Sequence, residues 1–231
     1  MDSVWMVAIA AIAFVGTHFL LSHPLRAPVV GVVGERGFLG VYSLVSIATL
    51  AWLVIAYQRA PGPMVWAPGD VTWIVVTLVM LLASVLLMGS LIRNPALVNP
   101  VGANSAPAEA RGVFAITRHP MMWSLALWGL CHIAVFPTHA NIVLCAAIVI
   151  LALVGSALQD RKKARLRPEM WPEWEAKTSY WPFAAVAAGR ARLVGFRGHD
   201  LGGGLVVWLV GTWAHVPLAH VGAGVWRWIL R

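Results

Sequence analysis

Charged side chains are scarce in this sequence. Lys, Arg, Asp and Glu make up 11% of the 231 residues, and hydrophobic residues make up 60%, whereas a soluble globular domain has about 25% charged residues. This composition excludes an ordinary soluble domain and an intrinsically disordered chain. It is typical of an integral membrane protein.

Cysteine is also rare. The chain has 2 cysteines, Cys131 and Cys145, and both lie within apolar stretches. They do not indicate the disulfide framework of a small secreted domain, and they lack the paired spacing of thiolates that bind zinc. We therefore expect both to be packing residues.

Apolar stretches long enough to cross a hydrocarbon core of about 30 Å occur six times. They cover residues 3–22, 37–57, 71–92, 120–137, 140–158 and 203–221. The first has no basic start and no small-residue cleavage site, so we expect it to remain in the protein as a helix. The predicted fold is all-α, a membrane bundle of about six transmembrane helices that forms one domain over residues 1–231.

The basic residues indicate how this bundle is oriented. Of the 17 Lys and Arg residues, all but Arg59, Arg227 and Arg231 fall in the first, third and fifth loops. The positive-inside rule then places those loops in the cytoplasm and both termini on the outer side of the membrane. The net charge of +8 is explained by this topology and by contact with anionic lipid, so we expect no nucleic-acid partner.

Two segments between the stretches have a distinct composition. Residues 94–115 are rich in Pro, Gly, Asn and Ala, which predicts a connecting loop. Residues 159–200 are predicted to form a cytoplasmic segment at the membrane interface that ends in a Gly- and Arg-rich linker (186–202). Its first part carries aromatic rings that we expect at headgroup depth, those of Trp171, Trp174, Tyr180 and Trp181.

Histidines inside apolar stretches are the strongest candidates for function. A buried imidazole costs free energy unless a partner or a metal uses its nitrogen. His18 and His132 lie in such stretches without an acidic residue nearby, while His215 and His220, near the end of the last stretch, would line a cavity or meet the interface. The scarcity of Asp and Glu disfavours a carboxylate proton relay or a hydrolytic zinc site. A haem site matches these residues better, because haem needs one or two imidazole ligands and an apolar pocket. A hydrogen bond to a neighbouring helix is nevertheless the commoner role of a histidine in a membrane helix.

Three stretches together resemble the NnrU family of bacterial membrane proteins. They are THFLLSHPLRAPVVGVVGERGFLGVYSLVSIATLAWLVIAY (17–57), ITRHPMMWSLALWGLCHI (116–133) and EWEAKTSYWPFAA (173–185). NnrU proteins are similar in turn to the plant zeta-carotene isomerases, membrane enzymes that use haem b. The resemblance implies that His18 and His132 are the axial ligands of haem b. The isomerases have a cysteine three residues before the second histidine, where this chain has Gly129.

Two other sets of ligands for the haem iron stay open. They are His18 alone, and His18 together with His119. Two pairs of residues are candidates to line the pocket, although packing is the commoner role for residues in such positions. They are Tyr42 and Ser46, on one face of the second span, and Ser124 and Trp128, on the His132 face of the fourth. The resemblance implies redox-dependent cis-trans isomerisation of an apolar polyene, or nitrogen-oxide metabolism in denitrification with a gas ligand. A third hypothesis is a non-catalytic assembly factor without haem, whose protein partner the sequence does not identify.

A rival hypothesis rests on Arg118-His119-Pro120, at the predicted cytoplasmic end of a span. This triplet resembles the motif with which isoprenylcysteine and phospholipid methyltransferases hold S-adenosylmethionine. Arg118 would pair with the carboxylate of that cofactor and His119 would contact it through a ring nitrogen. Those enzymes place a pair of glutamates after a later span, where this chain has Gln159-Asp160-Arg161.

Overall fold

The computed structural model describes residues 3–97 and 108–230, and helices account for nearly all the regular structure there. The helices are α1 (Ser3–Ser22), α2 (Arg26–Gln58), α3 (Asp70–Ser90), α4 (Val113–Ile116), α5 (Pro120–Val135), α6 (His139–Leu166), α7 (Met170–Lys177), α8 (Ala184–Ala187), α9 (Gly198–Ala219) and α10 (Trp226–Ile229). The described residues form no β-strand, only an isolated bridge between Met64 and Thr138. The all-α prediction is confirmed.

Five of these helices are long and apolar enough to cross a membrane: α1, α2, α3, α6 and α9. The fourth predicted span, 120–137, forms the shorter apolar helix α5 of 16 residues. At 1.5 Å per residue, α5 is about 24 Å long, which is less than the hydrocarbon thickness of about 30 Å. The chain is therefore a multi-pass membrane protein with five long apolar helices and one that is shorter.

Helix α2 begins well before the predicted start at residue 37. Gly34 interrupts it with φ 73° and ψ 172°, so two helical pieces meet at a kink there. A positive φ is readily adopted by glycine, which has no Cβ. Across the kink, a guanidinium N–H of Arg26 donates to the carboxylate of Glu35 at 2.8 Å, and the guanidinium lies over the Phe38 ring.

One compact unit comprises residues 1–68 and 132–151. Its core is built from small and apolar side chains of α1, α2 and α6, and small residues allow helix backbones to approach closely. Asn141 closes the turn between α5 and α6, because its amide donates to the carbonyls of Phe136 and His132. The buried core residues of this unit are Val7, Ala10, Ala11, Phe14, Leu53, Ala56, Ala60, Ala140 and Ala147.

A second compact unit comprises the described residues of the ranges 69–131 and 152–231. Helices α3 and α9 pack together there, beside a core that includes Leu86, Trp123, Met170, Trp171 and Trp174. Both units combine two separate stretches of the chain. The prediction of a single domain over residues 1–231 stays a prediction.

Two features of the second unit correct expectations from the sequence. The side chains of Trp171 and Trp174 are 0% exposed, so they belong to the protein core and do not present their rings to lipid headgroups, whereas Trp181 is 63% exposed. The loop predicted for residues 94–115 ends in α4, whose four residues are buried in the same core. Residues 98–107 of that predicted loop lie outside the described part.

A glycine sets the spacing between α3 and α9, and its replacement should destabilise the second unit. A Cβ on Gly204 would lie 2.7 Å from Val85 Cα, so Gly204→Ala must push the two backbones apart. Overpacking of this kind costs about 1–3 kcal/mol. We expect a lower melting temperature for the detergent-solubilised variant. Gly202→Ala is the matched control, because a Cβ there has no atom within 4 Å, and an equal loss in both variants would contradict this account.

Candidate functional site

His18 lies in the last turns of α1 with a half-buried imidazole. Its Nδ1 lies 2.7 Å from the carbonyl oxygen of Phe14, one helical turn earlier. A carbonyl only accepts, so Nδ1 carries the hydrogen and donates it. In the neutral ring the lone pair is then on Nε2, which is the arrangement found in histidines that bind metals, whose other nitrogen donates to a carbonyl or carboxylate.

Aromatic rings of α1 and α2 surround this imidazole. The Phe14 ring centroid lies 4.5 Å from that of His18, and the Tyr42 ring centroid lies 5.4 Å from it. Tyr42 also contacts Phe38, and its hydroxyl accepts a long hydrogen bond of 3.5 Å from Ser22 Oγ. The structure thus brings Tyr42 to His18, and it places Ser46 one turn further along α2. The site has an apolar, aromatic wall.

The candidates on α5 are held by local bonds. The backbone carbonyl of His132 accepts a hydrogen bond from Asn141 at 3.1 Å, and the side chain of His132 is half-buried. Ser124 is buried, and its hydroxyl donates to the carbonyl of Met121. Trp128 is half-buried. Coordination of one iron by both His18 and His132 stays a prediction.

A second polar cluster forms in the other unit, around Arg118 and His119. Arg118 Nε donates to Asp160 Oδ2 at 2.8 Å, and a second guanidinium nitrogen lies 3.4 Å from Glu175. His119 Nε2 lies 2.6 Å from Asp160 Oδ1. Both ends of the Asp160 carboxylate are therefore used, in a place where the His119 side chain is 1% exposed and the Asp160 side chain is 11% exposed.

The surroundings of this cluster are aromatic. The rings of Trp171 and Tyr180 lie 6.2 and 6.0 Å from the His119 ring, and Lys163 Nζ lies over Trp171. His119 Nδ1 and the indole nitrogens of Trp171 and Trp174 are buried without a hydrogen-bond partner. An unpaired buried polar atom costs free energy. The bonds between Asp160 and the side chains of Arg118 and His119 are therefore needed to hold the cluster together.

Arg118 and His119 both contact Asp160 in the structure, and their use as a site for S-adenosylmethionine stays a prediction. The methyltransferase hypothesis needs the Arg118 guanidinium for the carboxylate of S-adenosylmethionine, but Asp160 and Glu175 already occupy it. A cofactor would have to displace a charge-assisted bond of the strong class. The geometry explains Arg118 and His119 as structural partners of Asp160.

Comparison with known proteins identifies the family. The family model described as NnrU protein matches residues 6–223, nearly the whole chain. The chain belongs to the NnrU protein family. No curated protein and no solved structure matches it. The match spans both compact units, so His18, His132 and the Arg118 cluster all lie in the part of the chain that is characteristic of NnrU proteins.

Sequence reasoning missed the acid that organises the cluster in this NnrU protein. The sequence shows Asp160 within Gln159-Asp160-Arg161, where the methyltransferases have their glutamate pair, and no local pattern indicates that it pairs with Arg118 and His119. Sequence reasoning also missed a role for Arg227, which counts in the topology prediction only as one of three basic residues on the outer side of the membrane. Within residues 3–97 and 108–230, no three His, Cys, Asp or Glu side chains gather as a metal site. Haem does not need such a group, because the protein supplies it with one or two ligands.

Proposed function

We propose that this NnrU family protein binds haem b within its helix bundle, with His18 as an axial ligand. The observation that carries the proposal is the setting of His18, whose Nδ1 bonds to the carbonyl of Phe14 and whose ring lies beside those of Phe14 and Tyr42. The bond fixes the ring and places the lone pair on Nε2. A ligand held in this way loses little freedom on binding iron, and such outer bonds commonly change metal affinity 10–100-fold.

The residues around His18 fit a bound haem. Haem needs apolar contacts along its faces, and Phe14 and Tyr42 provide aromatic contacts beside the imidazole. His132 is the second ligand in this proposal, in agreement with the resemblance to the zeta-carotene isomerases. The open alternatives keep His18 and replace His132 by His119 or by an exchangeable position.

The proposed activity is redox-dependent cis-trans isomerisation of an apolar polyene in the bacterial inner membrane, with both termini in the periplasm. Haem supplies an iron whose oxidation state changes its affinity for an added ligand or a double bond. The protein's own residues hold the iron through His18 and keep the site apolar through Phe14 and Tyr42. Binding of nitric oxide in nitrogen-oxide metabolism is the alternative use of the same group.

A visible absorption spectrum of the full chain tests haem binding. The protein is purified in a mild uncharged detergent from haem-replete cells and measured oxidised, then reduced with dithionite, then with carbon monoxide. We expect a Soret band at about one haem per chain. Sharp reduced α and β bands that carbon monoxide leaves unchanged indicate two strong ligands, whereas a broad spectrum that carbon monoxide shifts indicates one ligand and favours the gas-binding use. A protein without a Soret band would overturn the proposal.

A further inference from the structure

A cavity of about 420 Å³ lies at the carboxyl end of α9, far along the chain from His18. It is lined by Val216, His220, Gly222, Trp226, Arg227 and Leu230. Small-molecule sites usually have volumes of about 300–1,000 Å³, so the space suits one modest organic molecule. The apolar side chains of Val216, Trp226 and Leu230 form part of its wall, and the polar side chains come from His220 and Arg227.

The turn that forms this wall is tightly built. His220 ends α9 in the left-handed region, with φ 53°, a conformation that costs free energy in a residue with a Cβ. A Cβ on Gly222 would lie 2.9 Å from Arg227 Cα, and one on Gly224, at φ 56°, would lie 2.8 Å from Thr212. Strained or space-restricted backbone of this kind persists where the surroundings enforce it, often around ligands. The wall is therefore preorganised.

Arg227 supplies the positive charge of the cavity. Its guanidinium stacks 4.2 Å from the Trp73 ring centroid, which holds the cation in place. Asp70 is its nearest acid, but the separation is 3.9 Å and Asp70 is 59% exposed, so this pair is weak. Arg227 Nε is buried without a hydrogen-bond partner. The Arg227 side chain, which is 24% exposed, thus lines a cavity whose six described wall residues include no carboxylate.

We infer that this cavity binds an amphiphilic anion, a carboxylate or phosphate group on an apolar body. Arg227 pairs with the anionic group, since its planar fork matches the two oxygens of such groups. His220 lies beside it on the same wall. The apolar body packs on Val216, Trp226 and Leu230. The Trp226 ring is anchored for this by the hydrogen bond from its Nε1 to the carbonyl of Leu209 at 3.1 Å.

Octanoate and octanol form a matched pair of probes, because they share an alkyl chain and differ at the charged end. The full-length protein is placed in nanodiscs of phosphatidylcholine, and binding of each labelled probe is measured by equilibrium dialysis against empty nanodiscs. We expect saturable binding of octanoate in excess of octanol. Arg227→Gln should weaken octanoate binding about tenfold or more, as loss of a charge-assisted pair does. Leu230→Trp, which enlarges a side chain of the apolar wall but keeps the cation, should weaken binding of octanoate similarly.

Arg59→Gln is the control, because Arg59 is another basic residue but lies in the other compact unit. Its octanoate binding should equal that of the unchanged protein. Nanodiscs that contain phosphatidylglycerol separate the two sources of the anion: loss of octanoate binding there assigns the site to a lipid headgroup, and retention assigns it to a free acid. Equal binding of octanoate and octanol, or an Arg227→Gln variant that binds as the unchanged protein does, would overturn the inference.

Discussion

Replacing His18 by alanine should remove most of the haem from the purified protein. The change deletes the imidazole whose Nδ1 is bonded to Phe14 and leaves the rest of α1 intact, because alanine is the best helix former. Loss of an axial ligand should reduce haem retention roughly tenfold or more, since even the outer bonds of a ligand change metal affinity 10–100-fold. The ratio of Soret absorbance to protein absorbance, with haem quantified after extraction, measures the effect.

His215→Ala is the matched control for this experiment. The ring of His215 also lies on a long apolar helix and bonds through Nδ1 to the carbonyl four residues earlier, that of Gly211, at 2.8 Å. This variant therefore removes an imidazole in a similar local setting but in the other compact unit. It should keep its haem. If His18→Ala and His215→Ala hold the same amount of haem, His18 is not a ligand.

His132→Ala identifies the second ligand. If His132 binds the iron opposite His18, this variant should either lose haem or change from sharp reduced bands to a broad spectrum that carbon monoxide shifts. If the spectrum stays unchanged, His18 alone or His18 with His119 holds the iron. The same measurement on His119→Ala then separates these two arrangements.

Helix positions were largely predictable from the sequence, for a physical reason. A chain in hydrocarbon must satisfy its backbone hydrogen bonds internally, so an apolar stretch of sufficient length becomes a helix. Helices α1, α3 and α9 accordingly begin and end within a few residues of the predicted stretches. The polar ends of the helices were less predictable. Helix α6 continues to Leu166 through a basic sequence, because charged residues with good helix propensity extend a helix beyond its apolar part.

The contacts that organise the sites were only partly predictable. Tyr42 was chosen from its position on a helix face and does reach His18. The pairing of Arg118 with Asp160 joins residues 42 positions apart, and no local pattern contains such a contact. Trp171 and Trp174 were assigned to the interface because a belt of aromatic rings and a buried aromatic core have the same composition. Only the packing of α7 in the core distinguishes the two.

The linker predicted for residues 186–202 also has a structural role that composition does not reveal. Arg197 precedes α9, and its Nε donates to Asp200 Oδ1 at 2.9 Å, while a terminal nitrogen donates to the carbonyl of Gly89 at the end of α3. The carboxylate of Asp200 is 1% exposed and accepts from the backbone N–H of Arg197. This capping arrangement satisfies groups that a helix end would otherwise leave unpaired.

Replacing Asp160 by alanine should destabilise the second unit more than any other single change considered for that unit. The Arg118 side chain is 12% exposed, so removal of its carboxylate partner leaves a largely buried cation with only the longer contact to Glu175. His119 would have no acceptor at Nε2, and its Nδ1 already lacks a partner. Breaking a buried pair in this way costs about 3–5 kcal/mol. For a chain of this length, that predicts a melting temperature lower by roughly 10 °C.

A double variant distinguishes a buried-charge effect from general damage. In Arg118→Met with Asp160→Ala, no uncompensated charge remains, and replacement of a buried pair by apolar groups is often nearly neutral. The double variant should therefore melt above Asp160→Ala, although it carries one more substitution. Glu109→Ala is the control, since its pair with Arg111 is exposed on both sides and such pairs contribute about 0–1 kcal/mol. If the double variant melts below Asp160→Ala, the Arg118 side chain stabilises the unit through packing. An unpaired buried charge would then not explain the loss of stability in Asp160→Ala.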